Sequence, residues 1–190
     1  MRRIVLGLAL AGWLVACGAT PQPTPTPLPP TAVPTPTPIA LADIDIEPLL
    51  IQDGDLPAGL SGAQVRSTPP NMFRDVTGAS NQIHQQFARG DDPAGGVAVF
   101  LFEDTAARDQ AYAVILDGFG DTIEAVDVGE QGAAFVPPEI MRRQGLNSYD
   151  LLFSRCSAVA HIRMSGEFMD IAMITAYAER LDQRLTEAVC

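Results

Sequence analysis

The chain has 190 residues and a formal net charge of −11, and all twelve of its basic residues are arginine. Without lysine it offers no Schiff-base lysine, no P-loop lysine and no Ser-x-x-Lys nucleophile pair. A chain this acidic is a poor partner for nucleic acid, where clustered cations must neutralise phosphate. It is equally poor at lying flat on an anionic leaflet, and solubility is the plain account of the charge.

Arg2-Arg3 begins the chain, an apolar run follows from Ile4 to Ala16, and Leu14-Val15-Ala16-Cys17 closes it. A basic start, an apolar middle and small residues at a cut site make a secretory signal. The apolar run, about 13 residues, is shorter than the ~20 of a spanning helix. No basic stop-transfer cluster follows it; the next basic residue is Arg66. Leu14–Cys17 resembles the lipobox of bacterial lipoproteins. The resemblance implies that Cys17 receives a diacylglyceryl group and becomes the first mature residue. Two acyl chains anchor firmly, since each buried CH₂ contributes ~0.8 kcal/mol. Loss of Arg2 and Arg3 with the leader takes the formal charge from −11 to −13. The expected division is thus 1–16 signal peptide, 17–41 lipidated cysteine and Thr/Pro-rich linker, and 42–190 one domain. That leaves one domain's worth of chain, expected to be monomeric and able to bury a core without metal.

From Thr20 to Pro38 the chain is nearly all Pro and Thr. Proline removes amide donors and fixes φ, so neither helix nor sheet forms there. As polyproline II the tract would span on the order of 60 Å, a stiff spacer between membrane and domain. Its threonines could also carry O-linked sugar.

Ile44 to Gln52 predicts a short helical turn, broken by Asp53-Gly54-Asp55. Those aspartates lack the twelve-residue calcium-loop pattern and its closing glutamate, so a solvated turn is the simpler account. Gln82–Arg89 and Val97–Phe102 predict a hairpin with a long tip at Gly90–Gly96. Asp104 or Thr105 then caps a helix carrying Ala107, Ala111, Val114 and Ile115 at helical spacing, with Gly118 as its stop. Glu124–Glu130 is a strand or an extended loop; Ala133–Val136 is a strand stopped by Pro137-Pro138. Met141, Arg142 and Arg143 fall in a loop, where the arginines could grip an anionic ligand or partner or simply be solvated. Ser148–Arg155 and Ala158–Met164 are two strands turning near Cys156-Ser157, or one bent strand. Phe168, Ile171, Ile174, Ala178, Leu181, Leu185 and Ala188 make one apolar stripe on a long final helix. The order predicts an α+β domain: an antiparallel sheet of about five strands, with helices packed on one face and a long C-terminal helix.

The chain has three cysteines. With Cys17 lipidated, Cys156 and Cys190 remain in an oxidising compartment, which invites one disulfide; two free thiols are the alternative. Closing that loop of about 35 residues would stabilise by roughly 4 kcal/mol.

Chemistry is sparse. Gly-x-Ser-x-Gly, His-Glu-x-x-His and Gly-rich phosphate loops are absent. By strand parity His161 shares a face with Val159 and Arg163, and His84 points opposite Ile83 and Phe87. Both histidines therefore belong to the less apolar sheet face, as two surface residues or, with a carboxylate, as a zinc pair. No catalytic residue, metal site or cofactor is assigned.

The run from Phe102 to Ala111, the Val-Gly-Glu-Gln-Gly-Ala segment at Val128–Ala133 and the closing strand pair with its helix resemble extracytoplasmic sensor domains of actinobacterial Ser/Thr kinases and related lipoproteins. The resemblance implies a ligand-binding or envelope-binding role rather than catalysis. The expectation is a membrane-anchored, extracytoplasmic, non-catalytic binding or sensing module whose envelope ligand or partner is unidentified. The alternatives are an envelope hydrolase with an unrecognised site and a structural adaptor docking another envelope protein.

Overall fold

Seven stretches of the chain pair as antiparallel strands in a computed structural model. They are β1 (Ser61–Arg66), β2 (Asn81–Arg89), β3 (Asp92–Leu101), β4 (Ile123–Ala125), β5 (Gln131–Phe135), β6 (Ser148–Arg155) and β7 (Ala158–Ser165). Their order across the single sheet is β1-β2-β3-β7-β6-β5-β4. The helices are α1 (Thr105–Asp117), α2 (Glu139–Arg143) and α3 (Ile171–Val189), and 3-10 turns cover Leu41–Asp43, Glu47–Leu49 and Asn71–Phe73. The structure describes residues 40–190 apart from Ile51, Asp53, Pro69, 120–122, 144–146, Glu167 and Phe168; the side chains of Ala63, Met141 and Arg142 are also outside it. The leader, Cys17 and the Thr/Pro tract lie outside the described residues.

Helix starts follow local chemistry. Asp104 caps α1 by accepting from the Ala106 amide at 2.9 Å. Asp170 caps α3 by accepting from the Met173 amide at 2.8 Å. Each satisfies an orphan donor of the first turn. Gly118 ends α1. Among the described residues no helix is long and apolar enough to cross a membrane.

The α+β class, the antiparallel sheet and the long C-terminal helix are as expected, but two details are corrected. The sheet has seven strands rather than about five. The two additional strands lie at its edges, where β1 is a polar Ser-Gly-Ala-Gln-Val-Arg run and β4 is three exposed residues. Neither carries the apolar alternation that marks a strand. The helices, moreover, cover both faces. Both parities of β3 are apolar, so each face must be buried. Val97, Val99 and Leu101 join Leu151, Phe153, Ala160 and Ile162 beneath Ile174, Tyr177, Leu181 and Leu185 of α3. Phe100 and Phe102 join Leu152 and Val159 beneath Ala111, Tyr112 and Ile115 of α1. Full burial of each such large side chain is worth about 1.5–3 kcal/mol.

At one end of the sheet β6 and β7 turn through Cys156-Ser157, so they are two strands and not one bent strand. Cys156 has φ +47°, the positive φ that a two-residue hairpin turn demands. It is bonded to Cys190, Cα to Cα 5.5 Å, tying the end of α3 to the turn. Arg108 of α1 donates to the Cys156 carbonyl and, at 2.9 Å, to Glu130. Glu130 in turn accepts from the Cys156 amide at 3.0 Å. Helices on opposite faces thus converge on one hairpin turn.

Candidate functional site

On the α1 face, Ala111, Tyr112 and Ile115 form one buried cluster with Phe100, Phe102, Leu152 and Val159, joined by Phe73 and Ala98. Beyond them the same face carries His84 and Gln86 of β2, Gly96 and Ala98 of β3, His161 and Arg163 of β7, and Asp150 of β6. Register explains the set. His84 pairs with Ala98 and Ala98 with His161; Gln86 pairs with Gly96, Gly96 with Arg163, and Arg163 with Asp150. Residues directly opposite in a ladder share a face. Pairing thus stacks two rows of polar side chains across four strands.

Asp150 is deeply buried with His161, their side chains 4% and 3% exposed. A buried carboxylate needs partners, and it has them. Arg163 donates Nε to Oδ1 at 2.7 Å and Nη2 to Oδ2 at 3.1 Å. Oδ1 lies 2.8 Å from His161 Nε2, and since an ionised carboxylate only accepts, Nε2 is the donor. Burial alone would raise the Asp150 carboxyl; the hydrogen bonds and charges of His161 and Arg163 outweigh it and hold it below its ordinary range. His161 is clasped by rings: Phe73 meets it edge-on at 5.2 Å and Phe119 at 5.4 Å. Phe73 arrives on the Asn71–Phe73 turn and also packs edge-on against Phe100 at 5.4 Å.

Between these groups lies an open cleft of about 210 Å³. His84, Gln86, His161 and Arg163 supply its polar lining; Pro70, Met72, Phe73, Pro93 and Ala98 supply its apolar wall. Gly96 makes the floor. A Cβ there would stand 2.9 Å from His84 Nε2 and 2.7 Å from the Gln85 carbonyl oxygen, so any side chain would press on both the imidazole and the neighbouring strand. Burial first, then the charges of Arg66 and His161, push His84 below its ordinary 6.5, so it is neutral at pH 7. Arg163 is different from Asp150: its side chain is 43% exposed and lines the cleft.

His84 and His161 do share a face, as parity predicts, with one residue of β3 between them. Among the described residues no group of three or more His, Cys, Asp or Glu side chains could hold a metal ion. The Asp150 carboxylate beside His161 is already engaged by Arg163. Arg143 does not line the cleft, and the Arg142 side chain lies outside the described residues. Their segment is the short helix α2 rather than a loop, started after Pro137-Pro138, and Arg143 Nε donates to Glu139 one turn back at 3.0 Å. Asp55 of the candidate calcium turn accepts from Arg184 at 2.7 Å and from the Gln52 amide at 2.8 Å, which accounts for it structurally. Asp53 lies outside the described residues.

Asp150, Arg163 and Phe73 are site residues that sequence reasoning did not assemble. The signal was present. A two-residue turn at Cys156-Ser157 places Asp150 opposite Arg163, with His161 diagonal to it. An aspartate within Tyr-Asp-Leu-Leu-Phe is a charge in a buried strand and requires such a partner.

No protein-family model matches the chain, and no curated protein matches it. Among solved structures it is similar to the crystal structure of the extracellular domain of PknH from Mycobacterium tuberculosis, with a TM-score of 0.50 and 10% identity. The match covers 73% of this chain and 93% of that one. At that identity the likeness shows a common fold.

Proposed function

We propose that the chain is a membrane-anchored extracytoplasmic lipoprotein whose α+β domain is a non-catalytic ligand-binding or sensing module. The open cleft on the α1 face carries the reading. It joins an apolar wall to a few convergent polar groups, which is the usual make-up of a small-ligand site. Among the described residues its lining holds no hydroxyl, thiol or carboxylate side chain able to serve as nucleophile. Asp150 and His161 are both buried and locked to partners, so neither stands ready to carry a proton to a substrate.

Two further observations support the extracytoplasmic placement. The structurally similar domain is an extracellular one. The Cys156–Cys190 bond suits an oxidising compartment. The Leu14–Cys17 box supplies the anchor and the Thr/Pro tract the spacer. Cell fractionation tests the anchor: wild type should sediment with membranes as an acylated, leader-free protein. Cys17→Ala should yield a released domain or an unprocessed precursor. A Cys17→Ala protein that still sediments at mature size and carries acyl chains contradicts the proposal.

A further inference from the structure

The cleft gathers basic side chains in a chain that is strongly anionic. Its lining bears an arginine and two histidines and, among the described residues, no carboxylate. Both oxygens of the nearest buried carboxylate, Asp150, are spent on Arg163 and His161. Arg163 gives Asp150 its Nε and Nη2, and its side chain, 43% exposed, also lines the cleft. Arg66 adds positive charge from β1, directly opposite His84 in register. Beside these groups, Pro70, Met72 and Phe73 form an apolar wall, and Met72 is half exposed. The volume of about 210 Å³ is below that of a drug-sized site and suits a small molecule.

We infer that the α1-face cleft takes a small organic anion, its acidic group held by Arg163 and His84 and its apolar body against Met72, Pro70 and Phe73. This rests on the binding-module reading and names the class of ligand. The anion does for the cleft what Asp150 does beneath it: it supplies counter-charge to cations gathered on one face. A dry wall beside the charge strengthens the contact, because less solvent screens it.

Binding is linked to pH. The charged and titratable groups near His84 are Arg66 from β1, His161 and Arg163 from β7 and, held by those two, the Asp150 carboxylate of β6; β3 contributes no titratable side chain to the cleft lining, and the Asn71–Phe73 turn contributes Met72 and Phe73. Burial first, then the neighbouring Arg66 and His161, keep the imidazole neutral in the empty cleft. A bound anion reverses that balance and His84 takes up a proton. By linkage, the anion then binds more tightly as pH falls.

The test uses the full chain in detergent, isotopically labelled, with imidazole resonances followed by NMR. The probes are benzoate and the equally sized neutral benzyl alcohol, each at pH 7.5 and 5.5. Benzoate should shift His84 and its neighbours and bind at least about fivefold more tightly at pH 5.5, with His84 protonating as it binds. His84→Gln, its fold checked by spectral dispersion, should bind benzoate more weakly and with no such pH dependence. Equal binding of benzyl alcohol overturns the anion assignment but leaves a ligand-binding cleft in place. Failure of both probes to move cleft resonances overturns the assignment and removes the cleft from the functional reading as well.

Discussion

Asp150 shows how one side chain sets the local order of the sheet. Its carboxylate lies under His161 and Arg163 and is kept ionised by them against the pull of burial. Asp150→Asn keeps the shape and deletes the charge. Breaking a buried pair costs about 3–5 kcal/mol where a charge is left stranded, and Arg163, which reaches solvent, lowers this to about 2–3 kcal/mol. The sign with pH follows from the depressed carboxyl. Its stabilisation is complete above the ordinary 3.8 and is lost as pH falls through the lower folded value. Urea unfolding should therefore separate the two proteins at pH 7, with the gap closing as pH falls from 3.8 through the lower folded value. A gap that persists unchanged in acid would mean that packing, and not charge, explains the loss. At this scale the faces of His84, His161 and Arg163 were legible from alternation alone. Their assembly was not, because alternation says which face a residue takes and not which strand lies beside it.

Among the elements, the β6–β7 turn bears the most connections. The disulfide, Arg108 and Glu130 all meet at Cys156, and Arg155 donates Nε to Asp182 of α3 at 2.6 Å beside it. The bond was legible from counting cysteines once one is assigned to lipid. The seat of α3 was legible from its stripe, although Tyr177, the largest of the fully buried side chains, sits outside that stripe's aliphatic pattern. Reduction should cost up to ~4 kcal/mol, and less if the apolar face keeps the helix docked. Hydrogen exchange resolves the two cases. After reduction the amides of the last turn, Thr186 to Cys190, should exchange faster while those from Ile174 to Leu181 stay protected. Loss of protection along all of α3 together would show that the bond, and not the apolar face, holds the helix. Of the edge strands, β1 was not legible and β4 only as one alternative for Glu124–Glu130, since a polar or three-residue strand at an edge needs no apolar alternation to pair.

For the whole molecule, the decisive feature is unequal cover. The α3 face is closed by a 19-residue helix and the N-terminal turns, with Ile46 and Leu50 buried against the core. The α1 face has a 13-residue helix that stops short, and the strands beyond it turn polar. There the sheet holds an open cleft that joins polar side chains to an apolar wall, a place for a small ligand. The claim that this end is the working surface is tested most directly by mapping. Isotopically labelled full chain is titrated with the low-mass fraction of an envelope extract, and backbone and imidazole shifts are read residue by residue. Perturbations should centre on His84, Gln86, Gly96, Ala98 and His161. Shifts confined to the outer faces of α1 and α3, or no shift anywhere at saturating extract, would contradict it.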